Sequence, residues 1–167
     1  VGMLEGTDIV AISDLYEDRA KGAAAKAGEK GHKPKVYSGD ENLWKKMLEE
    51  VKPDAVFVST PWELHAPQAI AAMKAGAHVF VEVPLALTID EMWDIVDTSE
   101  KTQRHCMMME NVCYGREELM VLNMCRQGVF GELTHGEAAY IHDLRGLKFA
   151  ENGYQGMWRL EHSKKRD

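Results

Sequence analysis

The stretch HVFVEVP, residues 78–84, decides the fold class of this chain. Its first four residues form a short apolar run with β-branched and aromatic side chains, which is typical of a buried strand. The strand ends at a carboxylate, Glu82, and a proline, Pro84, with Val83 between them. A valine side chain holds no charge and donates no hydrogen bond. Any chemistry at this strand end must therefore use other residues.

Similar apolar runs recur along the chain, separated by stretches with helical spacing. The predicted strands are 9–12, 55–58, 78–82 and 106–109, and the predicted helices are 17–27, 43–51, 64–73, 89–96 and 119–126. This alternation predicts an α/β fold with a doubly wound parallel sheet that helices cover on both faces. Ligands of such sheets bind beyond the carboxyl ends of the strands.

Two helices carry further local signals. Ser38 with Glu41, and Thr88 with Glu91, have the spacing of helix-capping boxes. We expect the inward face of the helix after Thr88 to consist of Ile89, Met92, Trp93 and Val96.

Composition excludes several classes of partner. The chain has 167 residues, with 20 Lys+Arg against 27 Asp+Glu and a net charge of −7, which argues against nucleic acid or an anionic membrane as a partner. No apolar run approaches the roughly 18 residues that span a bilayer. Cys106, Cys113 and Cys125 lack metal or disulfide spacing and predict a reducing compartment. We expect a cytoplasmic location by default. Secretion or a periplasmic location stays open, because the chain begins at Val1.

Asp14 follows the first predicted strand. A carboxylate at this place in a dinucleotide fold accepts hydrogen bonds from the adenosine ribose and favours NAD over NADP. Capping the helix that follows is the structural alternative. The glycine-rich phosphate turn should lie about 20 residues earlier, but only 13 residues precede Asp14. We therefore expect a fragment that lacks its first strand and that turn.

The turn STPWELH, residues 59–65, follows the next predicted strand. With EVP at residues 82–84, it resembles the Gfo/Idh/MocA oxidoreductase family, which shows T-P-x-x-x-H and then E-K-P. In that family the lysine of E-K-P contacts the nicotinamide ribose and a substrate hydroxyl. Here Val83 replaces that lysine.

The remaining motifs narrow the resemblance. MMMENVCYG at 107–115, YIHDLR at 140–145 and WRLEH at 158–162 are similar to those of the NAD-dependent α-N-acetylgalactosaminidases, glycoside hydrolase family 109. The resemblance implies tightly held NAD that is used transiently. The sugar is oxidised at C3, the C1 substituent is eliminated, water adds, and C3 is reduced again. This route does not need the two carboxylates of ordinary glycosidases.

The resemblance also assigns residues. Tyr140 would bind substrate and transfer the proton at C2, and a phenol needs a hydrogen-bonded partner for this role. His142 and Glu110 are the candidate partners, and strand alternation over 133–141 places Tyr140 and His142 on one face. The residues expected to bind the cofactor are Asp14, Thr60, Pro61, Trp62, Glu63, His65, Glu82, Asn111 and Arg159.

Several alternatives stay open. His65 could serve helix packing, Tyr140 could be an ordinary sheet aromatic, and Arg159 could hold the acetamido group or be solvated. We expect no metal site, since alternation separates His142 from His135 and Glu137.

The expected domains are a dinucleotide-binding domain over 1–115 and the start of an α+β substrate domain over 116–167. The expected ligand is a sugar or glycoside, and a homo-oligomer is compatible with the resemblance. The alternative functions are a net NAD-dependent sugar or inositol dehydrogenase and a non-catalytic sugar- or nucleotide-binding protein. We expect the 167-residue chain alone to be inactive.

Overall fold

The computed structural model describes residues 4–148 and 154–165. Contacts divide the chain into two compact units, Val1–Met109 and Glu110–Asp167. Among the described residues, no helix is long and apolar enough to cross a membrane.

Unit 1 alternates strands and helices, as the sequence predicts. Its elements are β1 (Ala11–Asp14), α1 (Glu17–Gly28), β2 (Lys35–Ser38), α2 (Leu43–Val51), β3 (Ala55–Val58), a single 3-10 turn (Trp62–Leu64), α3 (His65–Lys74), β4 (His78–Val81), α4 (Ile89–Thr102) and β5 (Cys106–Met108).

Every strand pairing in unit 1 is parallel, which confirms the predicted α/β class. β1 pairs with β2, and β3, β4 and β5 form a separate three-stranded sheet in that order. Strand β2 was missed in the sequence. Its four residues KVYS are too short and polar to show an apolar run, and pairing with β1 defines the strand.

Helix α3 is the centre of the core of unit 1. It places Ala66, Ala69, Ala72 and Met73, each at most 1% exposed, in one cluster with buried residues of β3 and β4. Alanines on the buried face let the helix backbone lie close to the strands. Close packing of this kind holds the ends of β3 and β4 at fixed positions.

The other face of the three-stranded sheet is only partly covered by the described residues. Phe57, Phe80 and Met107 stand opposite one another in adjacent strands. Phe57 and Phe80 stack with centroids 4.8 Å apart, yet Phe57 stays 45% and Met107 40% exposed. An apolar strand pattern shows that a face can be buried, but the covering element has to come from elsewhere in the fold.

One of the two helix-capping predictions is confirmed and the other is wrong. The box at Thr88 is confirmed, because the Glu91 N–H donates to Thr88 Oγ1 over 3.2 Å and the Glu91 carboxylate accepts from the Thr88 N–H over 3.2 Å. The box at Ser38 is wrong. Gly39 has φ +95°, which turns the chain after β2, and α2 begins only at Leu43.

The predicted inward face of α4 is also wrong. Its four residues are all exposed, with Ile89 at 71% and Trp93 at 65%. The residues of α4 that are buried are Ile95 and Thr98, and α4 packs against α3. Helical spacing identifies apolar faces, but the neighbouring helix selects the one that is buried.

Unit 2 contains α5 (Arg116–Arg126), α6 (Arg145–Lys148) and α7 (Tyr154–Lys164). Helix α5 extends the predicted helix at its start, whereas α6 and α7 were not predicted. The expected strand at 133–141 is wrong, since this segment has no helix or strand and Ile141 is 93% exposed. A strand needs a hydrogen-bonded partner, and no described residue pairs with this segment.

Candidate functional site

The carboxyl ends of β3 and β4 lie side by side. Val58 stands opposite Val81, and the Glu82 N–H donates to the Val58 carbonyl over 2.9 Å. The turn at residues 59–61 and the turn at residues 82–84 therefore form one edge of the sheet. Parallel α/β sheets bind ligands at such edges.

His65 connects these two turns. Its Nε2 lies 2.7 Å from the carbonyl oxygen of Thr60, and its Nδ1 lies 2.7 Å from the carbonyl oxygen of Pro84. The side chain is 1% exposed. A neutral imidazole has one N–H, so both contacts are hydrogen bonds only when the ring carries two protons. A direct hydrogen bond from His65 to a cofactor would replace one of these contacts.

Thr60 is held at a second point. Its hydroxyl donates to Gln68 Oε1 over 2.9 Å, and Gln68 is 7% exposed. Sequence reasoning missed Gln68. The available signal was a polar residue three positions after His65, on a helix whose remaining buried residues are three alanines and Met73.

The turn after β4 carries a carboxylate and an aliphatic side chain. Glu82 is exposed, and Val83 is 37% exposed and joined to Pro84 by a cis peptide bond. No group on Val83 can exchange a proton with a ligand at this edge. Trp62 and Pro61 are half-buried in the neighbouring turn, and Glu63 is exposed.

Asp14 lies at the carboxyl end of β1 and is half-buried. Its Oδ1 accepts from the Tyr16 N–H over 2.9 Å. This local contact does not cap helix α1, which has no side-chain cap hydrogen bond, so the capping alternative is wrong. A carboxylate has a second oxygen with lone pairs that can accept a further hydrogen bond.

In unit 2, Tyr140 and His142 meet as the strand alternation predicted, although no strand forms. The Tyr140 hydroxyl lies 3.3 Å from His142 Nδ1, and the rings meet edge to face at 5.9 Å. Tyr140 is 83% exposed. The next residue, Asp143, pairs with Arg145, and hydrogen bonds from Arg145 lower the pKa of Asp143.

The other predicted residues of unit 2 lie apart in the chain. Glu110 and Asn111 are exposed at the start of the unit. Arg159 is half-buried on α7, and its guanidinium lies 5.1 Å from the centre of the Trp158 ring. The binding and catalytic roles assigned to these residues stay predictions. In the described part of the chain, no three His, Cys, Asp or Glu side chains gather as a metal site requires.

The strand ends of unit 1 carry hydrogen-bonding groups at the places where dinucleotide folds bind their ligand. The cofactor-binding roles of Asp14, Thr60 and Glu82 stay predictions. The 167 residues contain no G-x-G-x-x-G sequence for a pyrophosphate.

Two known families match successive parts of the chain. Residues 3–110 match the family described as an oxidoreductase family with an NAD-binding Rossmann fold, Gfo/Idh/MocA. Residues 114–166 match the C-terminal domain of glycosyl hydrolase 109.

Curated relatives agree with both matches. A glycosyl hydrolase family 109 protein of Akkermansia muciniphila is 55% identical over 100% of this chain and 35% of its own length. An alpha-N-acetylgalactosaminidase of Shewanella oneidensis is 54% identical over 98% of this chain and 36% of its own length. The chain thus spans about a third of the length of these relatives.

Solved structures share the fold. The WlbA dehydrogenase of Bordetella pertussis, in complex with NADH and UDP-GlcNAcA, has a TM-score of 0.63 and 25% identity, covering 75% of this chain and 34% of that one. A myo-inositol 2-dehydrogenase of Lactobacillus plantarum has a TM-score of 0.67 and 23% identity, over 78% and 37%. The parallel α/β unit, its edge turns and these matches show that the chain belongs to the Gfo/Idh/MocA oxidoreductase family, with an NAD-binding Rossmann domain followed by glycosyl hydrolase 109 C-terminal sequence.

Proposed function

We propose that the protein is an NAD-dependent glycoside hydrolase that acts on α-N-acetylgalactosaminides. The observation that carries this proposal is Val83 at the carboxyl edge of the sheet, 37% exposed, between the exposed Glu82 and the cis Pro84. This edge has no ammonium group where the wider family has its lysine. The name of the Shewanella oneidensis relative supports the same substrate.

The residues of unit 1 have a binding role in this proposal. Asp14 accepts the hydroxyls of the adenosine ribose, and the turns at Thr60 and Glu82 receive the nicotinamide half. Bound NAD would supply a hydride acceptor and donor for the sugar, with no net redox change over the cycle. His65 keeps the two turns together through the carbonyls of Thr60 and Pro84.

The residues of unit 2 have the proton-transfer role. Tyr140 takes the proton from C2 of the sugar, and His142 Nδ1, 3.3 Å away, accepts the phenol hydrogen. Glu110 is the other candidate partner of Tyr140. Arg159 holds either the acetamido carbonyl or the pyrophosphate. Asn111 completes the cofactor-binding set.

The test uses the full natural gene product and p-nitrophenyl α-N-acetylgalactosaminide in D₂O, with no added redox partner. We expect release of p-nitrophenol, no net NADH, and deuterium at C2 of the released sugar. Stoichiometric NADH without cleavage would instead show a net sugar dehydrogenase. The fold shared with solved dehydrogenases is the observation that supports this second candidate. Binding of sugar or NAD without either reaction would show a non-catalytic protein.

A variant connects this activity to Tyr140. Tyr140→Phe removes the proton-transfer group and should lower kcat by roughly 10²- to 10⁴-fold while NAD binding is retained. Tyr114→Phe is the matched control, because Tyr114 is an exposed tyrosine of the same unit. Equal activity of the Tyr140→Phe variant and the control would remove Tyr140 from the mechanism.

A further inference from the structure

Two polar groups of Thr60 contact side chains of helix α3. His65 contacts its carbonyl oxygen at 2.7 Å, and Gln68 accepts its hydroxyl proton at 2.9 Å. The same His65 ring reaches the carbonyl of Pro84 at 2.7 Å. The turn of Thr60 is therefore fixed both to helix α3 and to the turn that follows β4.

The two α3 side chains that contact Thr60 are buried. His65 is 1% and Gln68 7% exposed, whereas Thr60 is half-buried at the edge of the sheet. Water has little access to the two α3 side chains, so it does not compete well for their hydrogen bonds. The proton of the Thr60 hydroxyl is directed toward Gln68.

The direction of that hydrogen bond decides what Thr60 can offer. Oε1 of a glutamine only accepts, so the single hydroxyl proton of Thr60 is used on Gln68. The remaining lone pairs of Thr60 Oγ1 can only accept. A ligand group at this position must therefore be a donor.

We propose that Gln68 presets Thr60 as an acceptor for the carboxamide N–H of the nicotinamide ring of NAD. This inference rests on the proposed use of NAD by the protein. The carboxamide nitrogen only donates, which matches an oxygen that only accepts, whereas a hydroxyl of the neighbouring ribose can donate or accept. Thr60 is the ligand-contacting residue, and Gln68 is a positioning residue that acts through it.

The test compares NAD with 3-acetylpyridine adenine dinucleotide, in which a methyl ketone replaces the carboxamide. The analogue keeps the carbonyl and both riboses but has no N–H to donate. Calorimetric titration of the full natural gene product, without any glycoside, should show roughly tenfold weaker binding of the analogue, the loss expected for one hydrogen bond.

Substitutions at Thr60 and Gln68 test which side chain causes the preference for NAD over the analogue. Thr60→Val should weaken NAD binding roughly tenfold and leave the analogue unchanged, so that the preference disappears. Thr60→Ser keeps a hydroxyl and should therefore show the preference for NAD again. Gln68→Leu should reduce the preference, because the freed hydroxyl can then turn its proton toward the ligand. Thr98→Val is the matched control, since Thr98 is 7% exposed on α4 and should keep the wild-type preference.

Three results would overturn the inference. A preference that survives in Thr60→Val would remove Thr60 from carboxamide recognition. Equal weakening of both dinucleotides in Thr60→Val would move the contact to the ribose hydroxyls. Tighter binding of the analogue than of NAD by the wild type would mean that Thr60 donates, with the Gln68 amide reversed. Glycoside cleavage is measured separately, so a failure of the proposed hydrolase activity leaves this preference intact and is told apart from it.

Discussion

The His65 imidazole contacts the turn at Thr60 and reaches the carbonyl of Pro84, 19 positions later in the sequence. It occupies a position that is 1% exposed, where an unsatisfied carbonyl costs about 1–3 kcal/mol. The T-P-x-x-x-H spacing was enough to select His65 as a site residue. The contact with Pro84 depends on the neighbouring strand, so the spacing alone did not show it.

At the residue scale, we predict that His65→Leu lowers the free energy of unfolding by about 1–3 kcal/mol, because the buried carbonyl of Thr60 or Pro84 that accepts from the imidazole loses its donor. Urea unfolding measures this loss. His135→Leu makes the same chemical change at an exposed position and should stay within about 0.5 kcal/mol of wild type. Equal stability of the two variants would contradict the role of His65.

At the element scale, α4 shows how a helix with two apolar faces is oriented. Its start agrees with the sequence, because the Thr88 and Glu91 groups of the capping box are local. Its orientation does not, because α3 buries Ile95 and Thr98 and leaves Trp93 65% exposed. Periodicity within one helix carries no information about the shape of its neighbour.

This orientation is testable by paired substitutions in α4. Ile95→Ala removes a side chain that is 3% exposed in the core cluster and should cost about 2–5 kcal/mol. Trp93→Gln changes a larger but exposed side chain and should cost less than about 1 kcal/mol. Thermal unfolding of both variants measures the difference. A larger loss of stability in Trp93→Gln than in Ile95→Ala would show that the face with Trp93 is the buried one, as the sequence predicts.

Side-chain contacts between β2 and α2 make the stability of the protein depend on pH. Glu50 of α2 accepts hydrogen bonds from Lys35 and, over 2.8 Å, from Tyr37, both on β2. These contacts, Lys35 foremost, lower the pKa of Glu50 from 4.5 to about 2. Because the folded pKa lies below the unfolded one, the contribution is present above pH 4.5 and is lost as pH falls toward 2.

We therefore predict that Glu50→Gln flattens the fall of the urea midpoint between pH 4.5 and 2, the window set by the lowered pKa. The effect should be modest, since Glu50 is exposed. Glu49→Gln, at the exposed neighbouring carboxylate, should follow the wild-type curve. Parallel curves for wild type and Glu50→Gln would show that the pair does not contribute.

At the scale of the whole molecule, the two sheets of unit 1 are separate. No described strand joins β1 to β3, so peptide groups along those edges have no ladder partner. In unit 2, Tyr140 is 83% exposed in a segment without helix or strand. Catalytic groups must be held in place and shielded from water, and the described residues do not shield Tyr140 from water.

We accordingly predict that the isolated 167-residue chain does not cleave p-nitrophenyl α-N-acetylgalactosaminide above the uncatalysed rate. The full natural gene product, assayed at the same molar concentration, is the comparison. Circular dichroism should confirm that the isolated chain retains its helices. Turnover by the chain alone would show that the described residues are sufficient for catalysis.

The sequence by itself determined most elements of unit 1, their parallel order, and the edge residues from Asp14 to Glu82. Apolar runs, capping residues and turn prolines act over a few positions, so they can be recognised locally. Only the tertiary structure decided that His65 reaches Pro84, that Gln68 holds Thr60, that α4 buries Ile95, and that residues 133–141 form no strand. Gln68 and Thr60 are only eight positions apart, but a turn lies between them. The other features depend on a partner distant in the chain, or on the lack of a partner among the described residues, and packing in three dimensions selects such partners.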